Sequence, residues 1–189
     1  SKVYPGAAEP AVDRLDLTIA RGEFLSLLGP TGSGKTTTLM MLAGFESVSA
    51  GTIRIDGQPI EALPAHKRNL GVVFQSRTLD SDLSLSQNLK YHAALHGMNS
   101  RVAGERAMEA LEIVGLADRA KEKVRAMSGG QARRVEIARS LMHRPDLLLL
   151  DEATVGLDVG SRESVVKIVR NLVATQRLGV LWATHLMDE

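Results

Sequence analysis

The stretch Gly29-Pro30-Thr31-Gly32-Ser33-Gly34-Lys35-Thr36 limits what this chain can fold into more than any other. Its glycines let successive backbone amides turn inward around an anion. The apolar run Phe24 to Leu28 leads into it, and Leu39, Leu42 and Ala43 follow at helical spacing with Gly44 as the stop. Strand, glycine loop and helix in that order make a phosphate-binding loop. In such a loop Lys35 reaches the β- and γ-phosphates of a nucleotide and the Thr36 hydroxyl takes Mg²⁺.

The remaining pattern extends this unit into a layered fold. Leu15 to Ile19 and Phe24 to Leu28 flank the turn Ala20-Arg21-Gly22-Glu23, which predicts a hairpin or two neighbouring strands. Thr52 to Asp56 reads as a strand closed by the Asp56-Gly57 turn, and Leu70 to Phe74 as another that ends at Gln75. From Ser84 to Asp118 the period becomes helical. Leu89, Ala93 and His96 share one face and Ala107, Ala110, Leu111 and Val114 another, with Gly97 and Gly115 as stops. Val135, Ala138, Leu141 and Met142 mark a helix that ends before Pro145. The run Leu147 to Leu150 suits a parallel strand buried on both faces, Val165 to Ala174 a helix, and Gly179 to Thr184 a further strand. This alternation predicts an α/β protein with a parallel sheet flanked by helices, an N-terminal antiparallel β portion and an inserted helical subdomain.

Chemistry gathers at the carboxyl ends of parallel strands. Asp151 and Glu152 end the four-leucine run, where Asp151 can hold Mg²⁺ and Glu152 can act as a general base on water. Gln75 and His185 end two other strands on the same expected edge. A second glycine loop, Ser128-Gly129-Gly130-Gln131, opens the helix containing Val135. An N-cap serine with glycines for a tight turn accounts for part of it and leaves Gln131 unexplained.

Composition narrows the setting. With 23 basic and 22 acidic side chains the formal net charge is +1, which offers no field for nucleic acid or anionic lipid. Cysteine is absent, so disulfides and thiolate metal sites are excluded. No apolar run is long enough to span a bilayer, and the N-terminus lacks a signal-peptide layout.

Taken in order, Gly29 to Thr36, Gln75, Ser128 to Gln131, Leu147 to Glu152, Asp158 and His185 closely resemble the nucleotide-binding domain of ABC transporters. The resemblance spans nearly the whole chain. It implies a single ATPase domain over residues 1–189, with a catalytic core at 1–75 and 131–189 and a helical subdomain with the signature loop at about 76–130. ATP and Mg²⁺ are the implied cofactors. The implied nucleotide contacts are Tyr4 against adenine, then Gly29, Pro30, Thr31, Gly32, Ser33, Gly34, Lys35, Thr36 and Thr37. Thr36, Asp151 and Gln75 would serve the metal, and Glu152, His185 and Gln75 the hydrolysis. Ser128, Gly129, Gly130, Gln131 and the D-loop carboxylate Asp158 would serve a nucleotide held by a second copy in a head-to-tail dimer. A homodimer or second ATPase subunit and a transmembrane permease are the implied partners, at the cytoplasmic face of the inner or plasma membrane. No nucleic acid is expected.

Departures from the family pattern are few. Met127 replaces a usual leucine, Ala153 a frequent proline, and Val155-Gly156 a frequent Ser-Ala. The strand normally ahead of Tyr4 is missing, and the chain ends at Asp188-Glu189 without a following helix. Truncation at both ends, with lowered stability, is therefore expected. Residues 1 to 75, with Gly44-Phe45-Glu46 and Leu63-Pro64-Ala65-His66-Lys67-Arg68-Asn69, look like ATPases of importers for polyamines, iron or maltose. Residues 76 to 189, with Thr78-Leu79-Asp80-Ser81-Asp82-Leu83, Gln87-Asn88-Leu89-Lys90-Tyr91 and Val180-Leu181-Trp182-Ala183-Thr184-His185, look like exporter ATPases, including those found near quinoprotein alcohol oxidation systems. A recombined chain is one implication, and the second half weighs towards export. Two other functions compete: a soluble ABC-type ATPase in DNA repair or translation, and a P-loop kinase of small substrates. The first calls for coiled-coil or zinc insertions or a basic surface, and the second leaves Ser128 to Gln131 and His185 without a task.

Overall fold

The structure, a computed structural model, describes residues 1–186. The chain end at Asp188-Glu189 lies outside the described residues. The elements in order are β1 (Phe24–Leu28), α1 (Lys35–Ala43), β2 (Arg54–Ile55), β3 (Gln58–Pro59), β4 (Leu70–Val73), α2 (Leu85–Leu95), α3 (Ser100–Ile113), α4 (Gly129–Ser140), β5 (Leu147–Asp151), α5 (Val159–Gln176) and β6 (Gly179–Thr184).

β1, β6, β5 and β4 form a four-stranded parallel sheet in that spatial order. The central pair explains the continuous apolar runs. Successive side chains of a strand point to opposite faces, so a strand covered on both sides has no polar positions. Leu148, Leu150, Val180 and Trp182 face a core shared with α2, α3, α4 and α5, while Leu149, Leu181 and Ala183 face Leu39 and Ala43 of α1. Each fully buried leucine stabilises the sheet by about 1.5–3 kcal/mol.

Two parts of the N-terminal reading differ in outcome. The Asp56-Gly57 turn closes a two-stranded antiparallel hairpin, with Arg54 opposite Pro59 and Ile55 opposite Gln58. Both turn residues have positive φ, 48° and 77°, as a tight two-residue hairpin turn requires. Leu15 to Ile19, by contrast, is no strand. The turn at Ala20 to Glu23 forms, with the Glu23 amide donating to the Ala20 carbonyl at 3.1 Å, but β1 pairs with β6 on one edge and with no strand of the described residues on the other. Leu15, Leu17 and Ile19 line a cleft with Met41, Leu42, Ile53 and Ile55, and Leu15 remains 46% exposed. Alternation reports which side of the chain is apolar, and does not name the partner.

The helical block falls between β4 and α4. Ser84 caps α2 in a capping box with Gln87, Asn99 caps α3, and Gly97 and Gly115 turn the chain at φ 73° and 66°. No helix of the described residues is long and apolar enough to cross a membrane.

Candidate nucleotide site

The loop between β1 and α1 is shaped by two left-handed glycines, Gly32 at φ 84° and Gly34 at φ 86°. Gly34 is the N-cap of α1 and supplies no side-chain cap, so the first amides of the helix are left for an outside acceptor. A side chain at Gly34 would run into the Ala11 carbonyl, which ties the N-terminal segment to the loop. Lys35 is almost buried and arches over the loop, its ammonium donating to the carbonyls of Gly29 at 2.6 Å and Pro30 at 2.9 Å. The Thr36 hydroxyl donates to Asp151 Oδ1 at 3.1 Å.

Asp151 ends β5 with little exposure, and burial, the largest influence, raises its pKa above the ordinary carboxylate value; the Thr36 hydrogen bond opposes this. Glu152 follows in a left-handed conformation, φ 48°, that a non-glycine residue adopts only under constraint. Its amide is held by the Ala183 carbonyl at 2.9 Å. That kink turns its carboxylate towards β6, where Oε1 lies 3.2 Å from Nδ1 of His185. Lys35, Thr36, Asp151, Glu152 and His185 therefore meet at the carboxyl edge of β1, β5 and β6.

The other sequence-selected residues lie in different surroundings. Gln75 is exposed, two residues beyond β4, and its backbone carbonyl accepts from Arg133 at 2.8 Å. Tyr4 is partly buried on the N-terminal segment, with Lys2 Nζ 5.0 Å from its ring centre, and Lys2 also pairs with Glu46 at 2.8 Å. Ser128 is the N-cap of α4. Its hydroxyl accepts from the Gln131 amide at 3.2 Å, while the Gln131 side-chain oxygen accepts from the Ser128 amide at 2.9 Å. This reciprocal capping box accounts for Gln131, which the N-cap serine and glycines had left unexplained. Gly129 sits where a Cβ would come within 2.7 Å of the Arg77 guanidinium, and Gly130 where one would overlap Ser161. Asp158 caps α5 by accepting from the Ser161 amide at 3.0 Å, and its hydrogen bonds from Ser161 lower its pKa. Ser128 to Gln131, Asp158 and Ser161 thus form a second cluster where α4 and α5 begin together.

Three charged residues of α4 join this region without standing out in the sequence. Arg133 and Glu136 form an ion pair at 2.8 Å with side chains only 5% and 2% exposed. Arg133 donates to the Phe74 carbonyl at 2.6 Å as well as to Gln75. Glu136 accepts from the Thr78 amide at 2.7 Å, and Arg139 donates to the Thr78 carbonyl at 2.8 Å. The helix that begins at Ser128 therefore grips the backbone around Gln75. The available signal was their spacing, one helical turn apart among Val135, Ile137 and Ala138, which reads equally as a solvated stripe.

A parallel sheet whose edge carries a glycine loop, a lysine, a hydroxyl and two successive carboxylates defines a P-loop α/β protein. The family model described as ABC transporter matches residues 12–155. The chain is 38% identical over 179 residues to the spermidine/putrescine import ATP-binding protein PotA of Thermobifida fusca, covering 95% of this chain and 47% of the relative. It is 40% identical over 179 residues to the Nod factor export ATP-binding protein I of Cupriavidus metallidurans, covering 94% and 59%. A solved dimeric ATP-binding cassette in a post-hydrolysis state, bound to ADP and Pi, superposes with a TM-score of 0.84 at 30% identity, over 99% of this chain and 86% of that one. This chain belongs to the ABC transporter family. It spans about half the length of the curated relatives it matches. An importer protein and an exporter protein align over nearly the same share of it at similar identity.

Proposed function

We propose that this chain is the ATP-binding and ATP-hydrolysing part of an ABC membrane transporter, which powers translocation by closing with a second copy around ATP and opening after hydrolysis. One observation carries the hydrolytic part: Glu152, forced into a left-handed turn, presents its carboxylate to His185 directly beside the Thr36–Asp151 pair. The uncapped start of α1 and the Lys35 ammonium receive the β- and γ-phosphates, with Lys35 exchanging the Gly29 and Pro30 carbonyls for phosphate oxygens. Glu152 orients and deprotonates the attacking water, and His185 holds that carboxylate and faces the γ-phosphate.

The residues present fit a magnesium ion. Thr36 and Asp151 bring two hard oxygen donors together, and a buried carboxylate is stabilised by a dication beside it. Bound there, with Gln75 reaching in, the ion would neutralise charge on the β- and γ-oxygens.

Tyr4, on the segment that abuts Gly34, serves the adenine side of the cradle that runs through Thr37. The Ser128 loop and Asp158 serve the nucleotide of a second copy, in keeping with the dimeric cassette this chain resembles. Residues from about 76 to 130 form the subdomain that contacts a transmembrane permease, which holds the protein peripherally at the cytoplasmic face of the membrane. The grip of Arg133, Glu136 and Arg139 on the Gln75 segment supports a mechanical link from that contact to the signature helix.

Glu152→Gln tests the assignment. The variant should bind ATP as the parent does, hydrolyse it at a small fraction of the parent rate, and accumulate as a dimer with ATP and magnesium on size exclusion with light scattering. Parent-rate hydrolysis by a variant that stays monomeric would remove Glu152 from the role of base.

A further inference from the structure

The helical block holds a cluster that ATP chemistry leaves unused. His92 and His96 lie one turn apart at the end of α2, and His143 lies just after α4. One ligand nitrogen from each falls within 4.8 Å of the others. The rings of His92 and His96 are 4.7 Å apart, and those of His96 and His143 are stacked at 4.4 Å with an interplanar angle of 3°.

We propose that His92, His96 and His143 form a transition-metal site of the zinc, nickel or copper class, separate from the magnesium at the phosphate loop. Two ring nitrogens point to this use. Nε2 of His92 and Nδ1 of His143 are buried without a hydrogen-bond partner, an arrangement proteins avoid unless the lone pair has a task. His143 Nε2 lies 3.2 Å from the Leu70 carbonyl; donating its proton there leaves Nδ1 as the lone pair. A ligand histidine is commonly fixed in this way through its other nitrogen.

The local electrostatics agree. Burial, the largest influence on each, pushes the imidazole pKa values of His92 and His143 down to about 4, so both rings are neutral at physiological pH and ready to bind a cation. His96 and then Arg139 also depress His92, while Glu136 holds the Arg139 charge in place against its burial. Neutral imidazoles select borderline transition metals over magnesium or calcium, which take oxygen donors.

Closing the site requires one motion. Zinc sits about 2.0–2.1 Å from each nitrogen and in the plane of each ring, so two parallel stacked rings cannot share it. His96 is exposed and caps the end of α2, and on metal binding its ring would rotate out of the stack and leave the fourth position to water. The ion would then staple α2 to His143, and through His143 to Leu70 at the start of β4, the strand that leads to Gln75.

The test is zinc binding by the full chain without nucleotide or magnesium, measured by competition with a chromophoric chelator, with cobalt as a spectroscopic probe. The parent should bind one zinc per chain, gain thermal stability on binding, and give the intense visible bands of low-coordinate cobalt. His96→Gln, at an exposed position, should keep the metal-free melting temperature and lose at least ~10-fold in affinity, since disturbing even a ligand's outer partners costs 10–100-fold. His143→Gln should lose affinity likewise, and His66→Gln, an exposed histidine elsewhere, should match the parent. Absence of saturable zinc binding, weak octahedral cobalt bands, or stoichiometric binding that survives His96→Gln would overturn the proposal.

Discussion

The chain contains two glycine-rich helix starts, and they solve the same problem in opposite ways. At α1 the N-cap is Gly34, left-handed, with no side chain to accept from the helix amides. At α4 the N-cap is Ser128, extended, and it exchanges two hydrogen bonds with Gln131. A helix start carries a partial positive charge and orphan donors, so the first arrangement is completed by an outside anion and the second is largely complete alone. On the proposed function, the phosphate loop is therefore where this molecule would gain from binding a nucleotide. The signature loop is a preformed surface, with Ser128 exposed at its tip and the loop held in shape by its own capping box.

The largest effects should separate the two loops by function. Lys35→Ala removes a charge-assisted contact worth about 1.5–3 kcal/mol, so ATP affinity of the monomer should fall roughly 10- to 150-fold, as read by equilibrium binding of a fluorescent ATP analogue. Ser128→Arg should leave that affinity within about twofold of the parent and abolish steady-state turnover, because the added side chain blocks only the surface offered to a second copy. If Ser128→Arg weakened binding to the monomer as Lys35→Ala does, the two loops would belong to one site and the contrast between them would be wrong.

An intermediate effect concerns packing. In the phosphate loop Gly32 and Gly34 are required by positive φ, and Gly34 also meets the Ala11 carbonyl, whereas Gly130 is required by a neighbouring side chain alone: its Cβ would overlap Ser161 at the start of α5. Gly130→Ala should cost about 1–3 kcal/mol in urea unfolding, the usual cost of one inserted methyl in a tight contact. Adding Ser161→Gly should recover part of that loss, beyond the ~1 kcal/mol that a helical glycine costs by itself. Strict additivity of the two changes would show that Gly130 is not held by Ser161.

The difference between the loops also marks what the sequence could tell. The phosphate loop was legible because its frame is local: a strand, eight residues and a helix in one uninterrupted stretch, whatever Ala11 and Asp151 add from a distance. Leu147 to Leu150 was legible for the same reason, since burial on both faces writes itself into the strand. Ser128-Gly129-Gly130-Gln131 stands out by its likeness to a family, and its capping box, a serine and a glutamine three apart, is a local signal as well. The grip of Arg133, Glu136 and Arg139 on Phe74, Gln75 and Thr78 was not legible, because the partners are backbone groups about sixty positions away and carry no residue-type mark. The cleft under Leu15 to Ile19 failed for a related reason, as an alternating pattern is satisfied by any apolar surface, here the one formed with Met41, Leu42, Ile53 and Ile55.

The smallest effect is the sharpest test of self-completion at α4. In Gln131→Ala the Ser128 amide loses its acceptor, while the Ser128 hydroxyl still takes the amide of residue 131. Only half of the box is removed, at an exposed helix start where water can replace the lost oxygen. The cost in folding stability should therefore be about 0.5–1 kcal/mol, towards the lower end of the range for a lost cap, measured by urea unfolding without nucleotide. Monomer ATP binding should not change, and the same loss should persist when ATP is saturating, because the box does not touch the phosphate loop. A stability loss that vanished on adding ATP to the monomer would mean that the nucleotide supplies the missing acceptor, and α4 would then be an anion site of the same chain.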